Sequence, residues 1–224
     1  MRILLKLSGE LLAGRRPPID WEAFSFYARE IAAAAREAEI AVVMGGGNIL
    51  RGARTPHPAT GHVMGMLATL INALALRDAL RDQGVETSLF SALPVPGVAQ
   101  PADQWEAREA LSRGAVVLLA GGTGLPYVTT DTAAVLRALA LGAELVLKGS
   151  KVDGVYTADP EQDPKAELIP RLTHADYLAR GLKVLDPAAV QIAAEHGLPI
   201  VVFRADRPGA FLAAIRGETG SRIG

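Results

Sequence analysis

The 224-residue chain has no cysteine, which excludes a disulfide framework and any metal site built on thiolates, and is compatible with a reducing cytosol. It also has almost no net charge: 23 basic against 24 acidic side chains leave −1. No long basic block stands out, so a polyanion would have to be met by a local site and not by the overall field. Neither a nucleic-acid nor a membrane partner is expected. The longest apolar segment, Met64 to Leu76, is interrupted by Gly65, Thr69 and Asn72, and Met1 to Leu7 is too short and too interrupted for a signal peptide. The expectation is a cytoplasmic protein. No low-complexity linker and no repeat breaks the chain. Half of it is hydrophobic, enough for one well-filled domain or two lobes.

What the chain does have is glycine at the ends of apolar runs. Ile40-Ala41-Val42-Val43-Met44 stops at Gly45-Gly46-Gly47-Asn48, with Arg51-Gly52 just beyond. An uninterrupted β-branched run of this kind predicts a buried parallel strand delivering its carboxyl end into a loop without side chains. Converging N–H groups there would suit phosphate oxygens, and the planar fork of Arg51 can hold two more. A tight turn needing positive φ, with a surface arginine, explains the same residues. A second apolar strand, Ala115 to Ala120, runs into Gly121-Gly122-Thr123-Gly124 and on to Thr129-Thr130-Asp131 before a helix from Thr132 to Leu141. Two such loops would lie at the strand ends where open α/β sheets bind ligands. Asp131 reads either as a catalytic group or as the cap of that helix.

In order, the pattern predicts a strand over Arg2 to Leu7 with Ser8-Gly9-Glu10 as its exit turn. Asp20 caps a helix from Trp21 to about Ala38, and after the first glycine loop a helix runs from about His62 to Asp82. A strand over Glu86 to Ala92 and a helix over Ala102 to Arg113 follow. Beyond the second loop come a strand over Glu144 to Lys148, a hairpin over Gly149 to Tyr156 turning at Asp153-Gly154, and a solvated loop from Asp159 to Glu167. Helices capped by Thr173 and by Asp186-Pro187, a last core strand over Pro199 to Arg204 and a helix over Pro208 to Arg216 complete the chain. This alternation predicts a doubly wound α/β/α sandwich with a mostly parallel sheet. Lys6 and Lys148 break apolar strands near their ends, a costly placement unless each ammonium reaches an anion or water. Two such lysines on parallel strands could converge on one polyphosphate.

Lys6-Leu7-Ser8-Gly9, Gly45 to Gly52, Met64 to Thr69, Gly122 through Asp131, Lys151 to Tyr156 with Asp159-Pro160, and Lys183 to Asp186 stand in the order seen in the bacterial uridylate kinases. The chain resembles that branch of the amino acid kinase superfamily over about residues 2–220. The resemblance implies a single kinase domain with an acceptor-binding lobe over about 1–140 and an ATP-binding lobe over about 141–224. It implies transfer of the γ-phosphoryl of ATP to UMP, with magnesium, in pyrimidine nucleotide biosynthesis, by a homohexamer open to allosteric GTP. It also accounts for the absence of a G-x-x-x-x-G-K-S/T loop.

By the same resemblance Lys6, Leu7, Ser8 and Gly9 would hold ATP phosphates, and Gly47 and Arg51 would stand between the two nucleotides. Ser150, Tyr156 and Asp159 would contact the nucleoside of ATP. Gly46 would meet the UMP phosphate, while Thr123, Gly124, Leu125, Pro126, Tyr127, Val128, Thr129 and Thr130 would line the UMP pocket. Lys148, Asp131 and Asp186 would lie near the transferred group or its metal, whose ligands the motifs leave unassigned. Three positions depart from the pattern, all on the acceptor side. His62 stands where an acidic residue would hold the UMP ribose, Leu125 replaces asparagine, and Tyr127-Val128 replaces two aromatics.

Overall fold

The computed structural model describes residues 1–160 and 162–224, so Glu161, in the loop expected over 159–167, lies outside the described residues. The elements are β1 (Arg2–Leu7), α1 (Gly9–Leu12), α2 (Trp21–Ala34), β2 (Glu39–Met44), α3 (Pro58–Arg81), β3 (Thr87–Ser91), β4 (Gln100–Pro101), α4 (Gln104–Ser112), β5 (Val116–Ala120) and α5 (Thr130–Leu141). Then follow β6 (Leu145–Ser150), β7 (Val155–Tyr156), β8 (Leu168–Ile169), β9 (Arg171–Leu172), α6 (His174–Ala179), α7 (Pro187–Glu195), β10 (Ile200–Arg204), α8 (Ala210–Ile215) and β11 (Ser221–Ile223). The main sheet has nine strands in the order β4-β3-β5-β2-β1-β6-β10-β11-β9. From β4 to β10 every pairing is parallel, and β11 runs antiparallel to β10. The doubly wound, mostly parallel α/β/α architecture is therefore present.

Strand order reverses around β1. The chain first builds outward through β2, then after β5 crosses to the other side of β1 and lays down β6. Alternation assigns the two faces: Ile3, Leu5 and Leu7 pack with α2, α3 and α8, whereas Leu4, Val43 and Val146 pack with residues of α4, α5 and α7. Because both faces are covered, the central strands are apolar without interruption until their last turns. Lys6 and Lys148 fall on the second face, beneath the start of α5.

Several expectations change. Ser8-Gly9-Glu10 opens α1 instead of forming a turn, α2 ends at Ala34, and α3 begins at Pro58, with proline in the first turn, where its missing N–H costs nothing. The hairpin over Gly149 to Tyr156 does not form. Both edges of β6 are taken by β1 and β10, so β7 pairs with β8 in a separate two-stranded sheet. β10 is not the last core strand, because β11 adds to its free edge. Helix α3 is long and apolar enough to cross a bilayer, but more than half of its apolar window is buried in the protein and it is a core helix here. The large apolar residues of α2 are also mostly internal: Phe24, Tyr27 and Ile31 are buried, Tyr27 stacks near Phe211, and Trp21 is largely exposed. The broad apolar face open to solvent belongs to α3, where Val63, Met64, Leu67 and Ile71 are exposed.

Candidate active site

Lys6 and Lys148 are register partners on adjacent parallel strands, β1 and β6. Both are buried, and both reach the same carboxylate. Lys148 Nζ donates to Asp131 Oδ2 at 2.6 Å, and Lys6 Nζ lies 2.9 Å from Oδ1. The Lys6 contact is an ion pair and not an aligned hydrogen bond, which leaves Oδ1 without a well-directed donor. Asp131 is not the cap of α5. That role belongs to Thr129, whose Oγ1 accepts from the Thr132 N–H, and Asp131 is the second residue of the helix, in its first turn, with its side chain reaching the lysines.

The electrostatics follow from this geometry. Burial works against a charge on Asp131, yet the two ammonium groups overrule it and hold the carboxyl down at about 2. Burial, reinforced by the like charge of Lys6, brings Lys148 down to about 8 although Asp131 pulls the other way. The cluster carries two positive charges on one negative, in a place where water screens them poorly. An anion arriving at the open side meets an excess of positive charge already positioned.

The two glycine loops leave β2 and β5, which lie on the same side of β1 in the sheet, and work in different ways. None of Gly45, Gly46 and Gly47 has positive φ, so the tight-turn explanation fails and close approach is the reason for glycine. A Cβ on Gly46 would lie 2.6 Å from the Gly65 carbonyl oxygen on α3, and one on Gly45 would lie 2.8 Å from the Gly9 nitrogen. Gly47 alone is exposed, with nothing but the Arg51 side chain near its missing Cβ. The second loop does need the left-handed region: Gly121, Gly122 and Gly124 have φ of 76°, 58° and 81°.

Two residues that the sequence marked only as interruptions of an apolar run fasten both loops to α3. Asn72, fully buried, donates to the Gly45 carbonyl at 2.8 Å and exchanges amide hydrogen bonds with Asn48. Thr69 Oγ1 accepts from the Gly121 N–H at 2.8 Å. A buried polar side chain on a core helix must find partners, and these find theirs in the loops. The signal was the polar pair one turn apart in Met64 to Leu76.

The remaining candidates are distributed as follows. Arg51 makes an ion pair with Glu10, both about half exposed. Leu7 is buried and can offer only backbone, while Ser8 and Gly9 connect β1 to α1. A cleft of about 130 Å³ lies between the loops, lined by Gly46, Gly47, His62, Thr69, Thr123, Val128 and Thr130 among others. Gly124 and Pro126 do not line it, and Leu125 and Tyr127 are exposed outside it. Tyr127 has φ of 65°, the one non-glycine residue at positive φ among the described residues, and its ring centroid lies 4.8 Å from that of His62. Thr129 is engaged elsewhere: its hydroxyl donates to Asp186 Oδ2 at 2.6 Å, joined there by Thr132 at 3.0 Å. Asp186 is the N-cap of α7, and its N–H points to Asp131 Oδ2 at 3.3 Å. Ser150 ends β6, Tyr156 lies on β7 and Asp159 comes after it; the Tyr156 hydroxyl donates to Asp153 at 3.4 Å, and Asp153 pairs with Arg207 at 3.1 Å.

Among the described residues no three metal-binding side chains gather. Asp131 and Asp186 are neighbours. That donor set fits a magnesium ion that arrives on phosphate oxygens and keeps water, and not one caged by protein.

Residues 1–204 match the model of the amino acid kinase family. The chain is 51% identical to the uridylate kinase of Azorhizobium caulinodans, over 97% of this chain and 94% of that protein. It is 45% identical to that of Porphyromonas gingivalis, over 97% and 93%. Among solved structures, the UMP kinase of Bacillus anthracis superposes with a TM-score of 0.95 at 33% identity, covering 99% of this chain and 95% of that one. The UMP kinase of Ureaplasma parvum gives 0.94 at 31%, covering 100% and 98%. With its lysine-aspartate-lysine cluster beside two glycine loops at the reversal of strand order, this chain belongs to the amino acid kinase family, in its uridylate kinase branch.

Proposed function

We propose that the chain is an ATP-dependent UMP kinase and that the Lys6-Asp131-Lys148 cluster is the centre of its chemistry. The observation that carries the reading is the convergence of two buried ammonium groups on one carboxylate, next to two loops able to bring backbone N–H groups close to phosphates. In the reaction an oxygen of the UMP phosphate attacks the γ-phosphorus of ATP. The new P–O bond forms as the bond to the β,γ-bridging oxygen breaks, and ADP leaves carrying that charge. The nucleophile is already anionic, so no strong base is required. Asp131, held ionised by its two partners, is suited to aim the lysines and not to take a proton. Lys6 and Lys148 neutralise charge building on the transferred group and the leaving oxygen, and Arg51 can bridge the two nucleotides once released from Glu10.

Magnesium, held by ATP phosphates with Asp131 or Asp186 nearby, would supply further charge neutralisation. Gly46, His62, Thr123, Val128 and Thr130 would take UMP, and Ser150, Tyr156 and Asp159 the nucleoside of ATP, in the division of labour expected over about 1–140 and 141–224. Assembly into a homohexamer, GTP control, a role in pyrimidine nucleotide biosynthesis and a cytoplasmic location belong to the same proposal. The exposed apolar face of α3 supports the assembly. The test is ADP release from ATP and magnesium with UMP, CMP, dUMP and AMP offered in parallel. UMP should be turned over fastest. Faster turnover of another acceptor, or nucleotide binding without turnover, would overturn the reading.

A further inference from the structure

At the opposite end of β6 and β10 from the lysines lies a cleft of about 500 Å³, larger than the 130 Å³ cleft between the glycine loops. Its walls are apolar, from Leu145, Val201 and Ile215. Its charged groups are Arg171, Arg222 and Glu218. Arg171 on β9 and Arg222 on β11 are register partners on parallel strands, both exposed, while their neighbours Leu172, Ser221 and Ile223 are buried. Among the described residues neither arginine has an aspartate or glutamate partner, and Arg222 makes one side-chain bond, from Nε to the oxygen of Gly224 at 3.2 Å. Like charges placed side by side on neighbouring strands are unfavourable. An anion shared between them relieves that repulsion, and a phosphate has oxygens enough to serve both guanidinium forks. Glu218, exposed in the same cleft and near enough to Arg216 to raise its pKa, can accept hydrogen bonds from hydroxyls.

We infer that this cleft is a second ligand site, separate from the proposed active site, for a phosphate-bearing polyhydroxylated metabolite of roughly sugar-phosphate to mononucleotide size. The arginine pair takes the phosphate, Glu218 the hydroxyls, and the apolar walls the remaining face. The volume lies within the usual range for small-molecule sites.

Calorimetric titration of the full chain with ribose 5-phosphate and, separately, inorganic phosphate tests this. Ribose 5-phosphate should bind, and the Arg171→Gln/Arg222→Gln double variant should weaken it by about tenfold or more while phosphoryl transfer from ATP is unchanged. Glu218→Ala should weaken ribose 5-phosphate and tighten inorganic phosphate, opposite signs that general destabilisation cannot produce. Should the double variant fold poorly, Arg222→Lys keeps the charge, loses the fork and should still weaken binding several-fold, about threefold or more. No heat at millimolar ribose 5-phosphate, equal affinity in parent and arginine variants, or the same sign for both ligands in Glu218→Ala would each overturn the inference.

Discussion

Lys6 and Lys148 face each other across β1 and β6 at the same register and share Asp131 between them, at 2.9 and 2.6 Å. Removing one ammonium therefore changes the other. Lys6→Met should keep the fold, because Lys148 still neutralises Asp131, and should lower kcat by roughly a hundredfold, about 3 kcal/mol of transition-state charge stabilisation. Steady-state rates beside a thermal midpoint check this. Full activity would make Lys6 an ordinary strand-end lysine.

Lys148 should show itself in the pH profile. Its ammonium is brought down to about 8 by burial and by Lys6, so the free enzyme loses the charge as pH rises through that value. The sign is fixed: kcat/KM for ATP should fall on the alkaline side with a single-proton limb near pH 8. In Lys6→Met the like charge is gone and the limb should move up. In Lys148→Arg, charged throughout, it should vanish. A flat parent profile up to pH 9 would refute this assignment.

Glu10 pairs with Arg51, so in the proposed reading a phosphate would have to compete with a carboxylate for the guanidinium. Exposed ion pairs contribute only about 0.2–1 kcal/mol. Glu10→Gln should accordingly lower KM for ATP by no more than about fivefold and leave kcat alone. A change in kcat would mean that Glu10 acts in the chemical step.

The sequence carried the fold and the outline of the site for definite reasons. Strands covered on both faces must be apolar throughout, which exposed Lys6 and Lys148 as anomalies and tied them together. Pairing partners were less legible. Nothing local to Gly149 to Tyr156 says that both edges of β6 are occupied, so an Asp-Gly pair looked like a hairpin turn. Asp131 was ambiguous because a cap and a buried ion-pair partner use the same residue type, and only the position of Thr129 separates them. Asn72 and Thr69 were read for what they interrupt and not for what they hold, since the loops they bind are distant in sequence.

Val63, Met64, Leu67 and Ile71 put a continuous apolar strip on the solvent side of α3, the helix that anchors both loops. Covering it by a second copy would couple assembly to the site. Leu67→Glu/Ile71→Glu should dissociate the oligomer in light scattering at micromolar protein and reduce activity as the mass falls. A parent that already scatters as a monomer would remove assembly from the proposal.

In the proposed reading His62 sets how well the acceptor is held. It lines the cleft between the loops, and its ring lies 4.8 Å from Tyr127, a residue kept at φ of 65°. A left-handed tyrosine costs about 1–3 kcal/mol, which the His62 contact helps to offset, so the two residues act as one wall. A carboxylate accepts from both ribose hydroxyls at once, whereas a neutral imidazole has one acceptor and one donor. Charge-assisted hydrogen bonds contribute about 1.5–3 kcal/mol, so His62→Asp should lower KM for UMP by roughly ten- to a hundredfold, with kcat within about twofold. Two opposed effects meet in that variant, because losing the ring also frees Tyr127. His62→Ala removes the ring, with both its hydrogen bonds and its Tyr127 contact, adds no carboxylate, and should raise KM. If both variants stay within about twofold of the parent in kcat/KM for UMP, His62 is a bystander and acceptor recognition rests on Thr123, Val128 and Thr130.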